Sequence, residues 1–209
     1  MAKIKTTPLS KEQVAVTLHF CFCNAKDLYE EAQLLIDNQK YARAFFLCAV
    51  ALEEIAKIPM GFNAIFLPKD DPVAWAGFWK AFYSHTLKQR AIKSYGQGLL
   101  KVLNKNRWAK YYKKQMPRNL PFNEMKLASL YVDCFDGYAR RPNKLFTTKN
   151  SVVSIVEVVK DRLEGFGNNY STIDKSISFV RRKGEIQMEI DGVDAKKMVV
   201  DHFRNLAKK

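Results

Sequence analysis

The chain has 209 residues, 47% of them hydrophobic and 27% charged, with a formal net charge of +14. That composition excludes wholesale disorder and is enough for one sizeable core. No run approaches the ~18–20 apolar residues of a membrane span, and the apolar stretch 14–23 contains His19 and has no cleavage pattern of a signal peptide, so a cytoplasmic protein without membrane contact is expected.

Four cysteines, Cys21, Cys23, Cys48 and Cys134, form no CxxC pair. With His19, His85 and His202 the only histidines, no zinc-type spacing arises. The thiols read as buried, and no metal or other cofactor is expected.

Residues 1–9 read as a flexible lead. Ser10 and Gln13 stand at capping-box spacing, and Val14, Leu18, Cys21, Ala25, Leu28, Ala32 and Leu35 recur at helical spacing to about Ile36. After the turn signal Asp37-Asn38, a second helix is expected from about Lys40 to Ile58, stopping before Pro59. Its middle, AFFLCAVAL, is apolar nearly all round and belongs at the centre of a bundle. The short connection makes the two helices antiparallel neighbours. Glu53 and Lys57 are four apart, the spacing of an exposed surface pair. Glu54 and Lys57 are three apart and can instead face another helix, where a carboxylate would orient His85 or fix a lysine.

The loop PKDDP at 68–72 leads into WAGFWKAFYSHTLKQR at 75–90. Plotted at about 100° per residue, this stretch sorts into two faces of one helix. Trp75, Phe78, Trp79, Phe82 and Tyr83 form a buried arc; Lys80, Ser84, His85 and Lys88 form a polar one. A histidine between lysines suits acid–base chemistry at a phosphate, since the imidazole exchanges protons near neutral pH and the ammonium groups neutralise oxygens. A solvated lysine face that includes a histidine is the plainer alternative.

Residues 1–60 carry seven basic and seven acidic side chains, whereas 61–120 carry twelve and two. Through the second window run Lys80, Lys88, Arg90, Lys93, Lys101, Lys105, Arg107, Lys110, Lys113, Lys114 and Arg118, with Trp108, Tyr111 and Tyr112 among them. Clustered cations attract polyanions through counterion release, and interleaved aromatics stack on unpaired bases. The alternative is a basic surface for solubility or an acidic protein partner. Gly96, Gly98, Asn104 and Asn106 make 93–118 a broken helix and loop, ending at Pro117 and Pro121.

Helix is expected to resume from Asn123 through Asp133 and to break at Asp136-Gly137 and Arg141-Pro142. Another runs from about Thr148 to Leu163, followed by a loop at 165–169. The tail reads as a helix at 171–182, a strand-like alternation at 185–190 with no obvious partner, and a last helix at 193–206. There Lys197 and His202 repeat the K-x4-H spacing in a plain amphipathic helix, read as coincidence. The fold class is all-α.

The ordered set Asn24-Ala25 through Tyr41-Ala42, the block Ala51-Leu52-Glu53-Glu54-Ile55-Ala56-Lys57, and Phe78-Trp79-Lys80 leading to His85 and Lys88 resembles the HEPN superfamily, and more narrowly the abortive-infection family AbiV. Leu130-Tyr131-Val132-Asp133 extends the likeness, which covers roughly 20–165. The resemblance implies a HEPN-like antiparallel helical bundle with additional C-terminal helices. The whole of 1–209 would be one domain, with 10–165 its core bundle and 166–209 an extension. It implies a homodimer in which two R-x4-6-H motifs face each other and cut RNA without a metal, leaving a 2′,3′-cyclic phosphate. His85 would be base or acid. Lys80 stands where the family's arginine usually stands, supplying charge without the bidentate fork. Lys88 would add a second cation and Glu54 would tune the site. Glu53, Lys57, Tyr131 and Asp133 would support it, and Arg90, Lys93, Lys105, Arg107, Lys110, Lys113 and Lys114 would hold RNA. The expected function is an antiphage effector that shuts down translation when a phage-encoded activator triggers it. The alternatives are a non-catalytic RNA- or ribosome-binding module and a scaffold for an acidic protein.

Overall fold

In the computed structural model, which describes residues 6–88, 122–135, 138–142, 148–184, 189–190 and 193–208, the first helix opens on the expected capping box. Ser10 N–H donates to Gln13 Oε1 (2.8 Å) and Gln13 N–H to Ser10 Oγ (3.1 Å), which satisfies two of the donors a helix start leaves open. Helix α1 spans Lys11–Asp37 and α2 spans Tyr41–Asn63. Between them Gln39 takes φ +58°, and Lys40 N–H returns to the Leu35 carbonyl at 2.7 Å, a helix-ending reversal of the left-handed type. The hairpin is antiparallel, as expected: Gly61, near the end of α2, lies against Leu18, near the start of α1. A Cβ at position 61 would sit 2.5 Å from Leu18 Cδ2, so only glycine permits this approach.

Pro59 does not end α2. The helix runs through it for four more residues, although a proline inside a helix costs roughly 3 kcal/mol. Ile58 and Met60, buried on either side, offset that cost.

A short 3-10 turn, Ala64–Phe66, precedes α3 (Pro72–Tyr83). Further on come α4 (Phe122–Ala128), the antiparallel pair β1 (Asp133–Phe135) and β2 (Tyr138–Arg140), α5 (Asn150–Tyr170), α6 (Ile173–Gly184), the pair β3 (Glu189–Ile190) and β4 (Val193–Asp194), and α7 (Ala195–Lys208). The class is all-α, with two very short hairpin ladders among the described residues.

Three boundaries differ from expectation. Helix α4 ends at Ala128, where Ser129 Oγ folds back to the Lys126 carbonyl (2.6 Å), and Asp133 enters β1 opposite Arg140. Residues 165–169 continue α5 instead of forming a loop. The strand-like 189–190 finds its partner three residues on, where Val193 pairs with Ile190.

The contacts gather into two compact units, the first drawn from Met1–Cys23, Ile55–Lys88 and Phe166–Lys209, the second from Asn24–Glu54 and Gln89–Gly165. In the first, Phe62 of α2, Tyr170 of α5 and Phe179 of α6 form a ring cluster, with Phe179 5.7 Å from Phe62 and 5.4 Å from Tyr170. Phe78 of α3 meets Phe203 of α7 edge to face at 5.8 Å. In the second, Phe45, Cys48 and Leu52 of α2 are buried, as are Val152 and Val159 of α5. No helix of the described residues is long and apolar enough to cross a membrane.

Candidate functional site

The site is built from α3, whose start and end are both set by side-chain caps. Asp71 accepts the Ala74 N–H at 3.0 Å, with Pro72 in the first turn where its missing donor does no harm. Arg204 of α7 donates from Nε to the other carboxylate oxygen at 2.7 Å. Burial alone would raise the Asp71 carboxyl; the Ala74 N–H and the Arg204 guanidinium outweigh it and hold it below the usual carboxylate range.

The predicted aromatic face is the buried one. Trp75, Phe78, Trp79 and Phe82 are buried, and both indoles are satisfied: Trp75 Nε1 donates to the Pro68 carbonyl (2.9 Å) and Trp79 Nε1 to the Thr7 carbonyl (2.8 Å). Lys57 Nζ lies 5.3 Å from the centre of the Phe82 ring, in cation–π range. Tyr83, placed on the buried arc by projection, is instead 58% exposed and stacks on Trp79 at 5.7 Å.

The helix expected over 75–90 is not continuous. Ser84 turns extended, with ψ 117°, while its N–H still closes α3 onto the Lys80 carbonyl (3.1 Å). Its Oγ then accepts the Leu87 N–H (3.3 Å), its carbonyl accepts the Lys88 N–H (3.0 Å), and a new helical stretch starts at 85. Serine therefore ends one helix and caps the next. Lys80 lies before this junction and His85 just after it, so the two do not share one helical face. Both are exposed. Lys88 departs from expectation: it is 5% exposed and buried, not on the solvent side. The arrangement offers an imidazole able to exchange a proton near neutral pH, an ammonium group on the preceding helix and an exposed phenol ring one turn along from it.

The acidic block of α2 separates in a way its spacing does not suggest. Glu53 is 2% exposed and not on the surface; its Oε1 accepts from Lys126 Nζ at 2.7 Å, and Lys126 is itself 5% exposed. Glu54 is half-buried in the second unit. Tyr131 is exposed, and Asp133 occupies a β1 register position. Arg90, Lys93, Lys105, Arg107, Lys110, Lys113 and Lys114 lie outside the described residues, as do Trp108, Tyr111 and Tyr112.

Sequence reasoning missed Ser84, Lys126 and Arg204. Ser84 carries a visible signal, being a serine immediately before a polar helical segment. Lys126 and Arg204 carry none, because their partners lie 73 and 133 residues away.

An antiparallel helical hairpin, an aromatic-cored third helix and an exposed Lys/His pair at its end define a HEPN-type protein. The family model for AbiV matches residues 13–164, and the chain belongs to that family of abortive-infection HEPN proteins. No curated protein and no solved structure matches it.

Proposed function

We propose that this chain is an antiphage effector that cuts RNA without a metal ion and so stops translation when a phage component triggers it. The observation that supports this reading best is the exposure of Lys80 and His85 on either side of the Ser84 junction in a chain of the AbiV family. One imidazole takes the proton of a ribose 2′-hydroxyl, and the oxygen attacks the adjacent phosphorus. The 5′-oxygen then leaves with a proton from a second imidazole, the partner's His85 in a homodimer, and a 2′,3′-cyclic phosphate remains. Lys80 neutralises charge on the phosphate as a point cation, and Tyr83 offers a face on which a base can stack. Residues 10–165 serve as the core bundle and 166–209 as its extension.

A second reading, a non-catalytic RNA- or ribosome-binding module, is favoured by one feature: a lysine stands where the family's arginine is expected. Purified protein incubated with cellular RNA in EDTA separates the two. Wild type is expected to yield 2′,3′-cyclic phosphate ends, and His85→Ala to lose them while still binding RNA. Cutting retained by His85→Ala removes His85 as the base. No cutting by wild type, even in lysate from phage-infected cells, leaves the binding module.

A further inference from the structure

On α1, away from Lys80 and His85, His19 and Cys23 bring an imidazole and a thiol together. They are four residues apart on one helix, hence one turn apart on the same face, and both are half-buried. His19 Nδ1 lies 2.9 Å from the backbone carbonyl oxygen of Tyr170, the last residue of α5. A carbonyl oxygen only accepts, so Nδ1 carries a hydrogen and donates it. In the neutral ring that leaves the lone pair on Nε2. Cys23 Sγ is 3.6 Å from Nε2 and 3.8 Å from Nδ1. With Nδ1 committed to Tyr170, Nε2 is the nitrogen able to take the thiol proton. A thiol beside a base, with the base held by a third group, is the arrangement that activates a sulfur nucleophile.

The other thiols whose side chains the structure describes are set differently. Cys21 and Cys48 are buried, and burial pushes the Cys48 thiol up to about 12, where it stays protonated at neutral pH.

The geometry points to Cys23 as a nucleophilic modification site for hydroperoxides, with His19 as the acceptor of its proton. The thiol proton passes to Nε2 and the thiolate attacks the terminal peroxide oxygen. A sulfur–oxygen bond forms as the oxygen–oxygen bond breaks. Sulfur is oxidised to a sulfenic acid and the peroxide is reduced, its leaving oxygen carrying off the imidazolium proton as water or an alcohol. Nothing in this depends on RNA cleavage.

The test is residue-resolved labelling of the native full-length chain at neutral pH, read by mass spectrometry. With iodoacetamide, Cys23 is expected to react roughly tenfold faster than in the same chain unfolded in urea, the thiolate fraction deciding the rate. His19→Asn keeps an amide donor where Nδ1 stood and removes Nε2. The Cys23 rate should then fall by roughly the same factor, while Cys48 stays unlabelled and reports an intact fold. If His19 only caps the end of α5, that variant leaves the Cys23 rate unchanged and the proposal fails. Should His19→Asn expose Cys48, the native-against-unfolded comparison on wild type decides by itself: a native Cys23 no faster than the unfolded one overturns the proposal. After hydrogen peroxide, dimedone is expected to trap Cys23 in wild type and not in His19→Asn. Fast alkylation with no dimedone adduct overturns the hydroperoxide assignment.

Discussion

Glu53 and Glu54 differ by one methylene-bearing position along α2, and by everything that governs a carboxylate. Glu53 is almost wholly out of water and bonded to Lys126 at 2.7 Å, while Glu54 is half-buried. Desolvating both ions costs nearly what their attraction returns, so the pair itself adds little stability; removing one partner strands the other charge. Glu53→Gln and Lys126→Met should each lower the unfolding free energy by about 3–5 kcal/mol, whereas Glu53→Leu/Lys126→Leu should recover most of that loss. Denaturant midpoints at constant m-value read this directly. A double variant as unstable as the single ones would show that the charges themselves hold the fold. The sequence made Glu53 look like a surface residue because Lys57 stands four positions on, at pair spacing. Helical spacing reports neighbours within one helix and is blind to a lysine 73 residues away.

Elements were legible where periodicity was long and caps were local. The start of α1, the reversal at Gln39 and the aromatic face of α3 all follow from residues within a few positions of one another. Boundaries failed where local signals and packing disagreed. Ser84 breaks a pattern that continues past it, because its hydroxyl and amide serve two helices. Pro59 and the run 165–169 look like breakers and are overridden: Tyr170, which ends α5, is buried and worth more than the roughly 1 kcal/mol each glycine costs. The docking of α3 on α7 depends on a glycine for a different reason. A Cβ at Gly77 would lie 1.8 Å from the Phe203 carbonyl oxygen and 2.6 Å from its carbonyl carbon. Backbone cannot swing aside as a side chain does, so α7 must retreat. Gly77→Ala is expected to cost about 3 kcal/mol and to make 195–208 the first segment cut in limited proteolysis. An unchanged melting temperature and cleavage pattern would show that the two helices do not pack this closely.

At the scale of the whole molecule the legible property is charge. Eleven cations and no carboxylate lie between Lys80 and Arg118 in a chain of net charge +14, and this asymmetry needs no contact map to have a consequence. Each phosphate neutralised on a single strand releases counterions, adding about 0.7 to the slope of log affinity against log salt. Reversing Lys110, Lys113 and Lys114 to glutamate should therefore flatten the slope for single-stranded RNA by roughly 2 if all three meet phosphates. His85→Ala, a loss of chemistry and not of charge, should leave the slope where it is. Titrations of both variants at several salt concentrations, with binding read by fluorescence anisotropy, separate the two contributions. A slope unmoved by the triple reversal would take the polyanion away from this segment and hand it to an acidic protein. A slope that moves with His85 instead would mean that the imidazole is charged in the complex and binds phosphate as a cation, which a general base waiting for a 2′-hydroxyl proton cannot do.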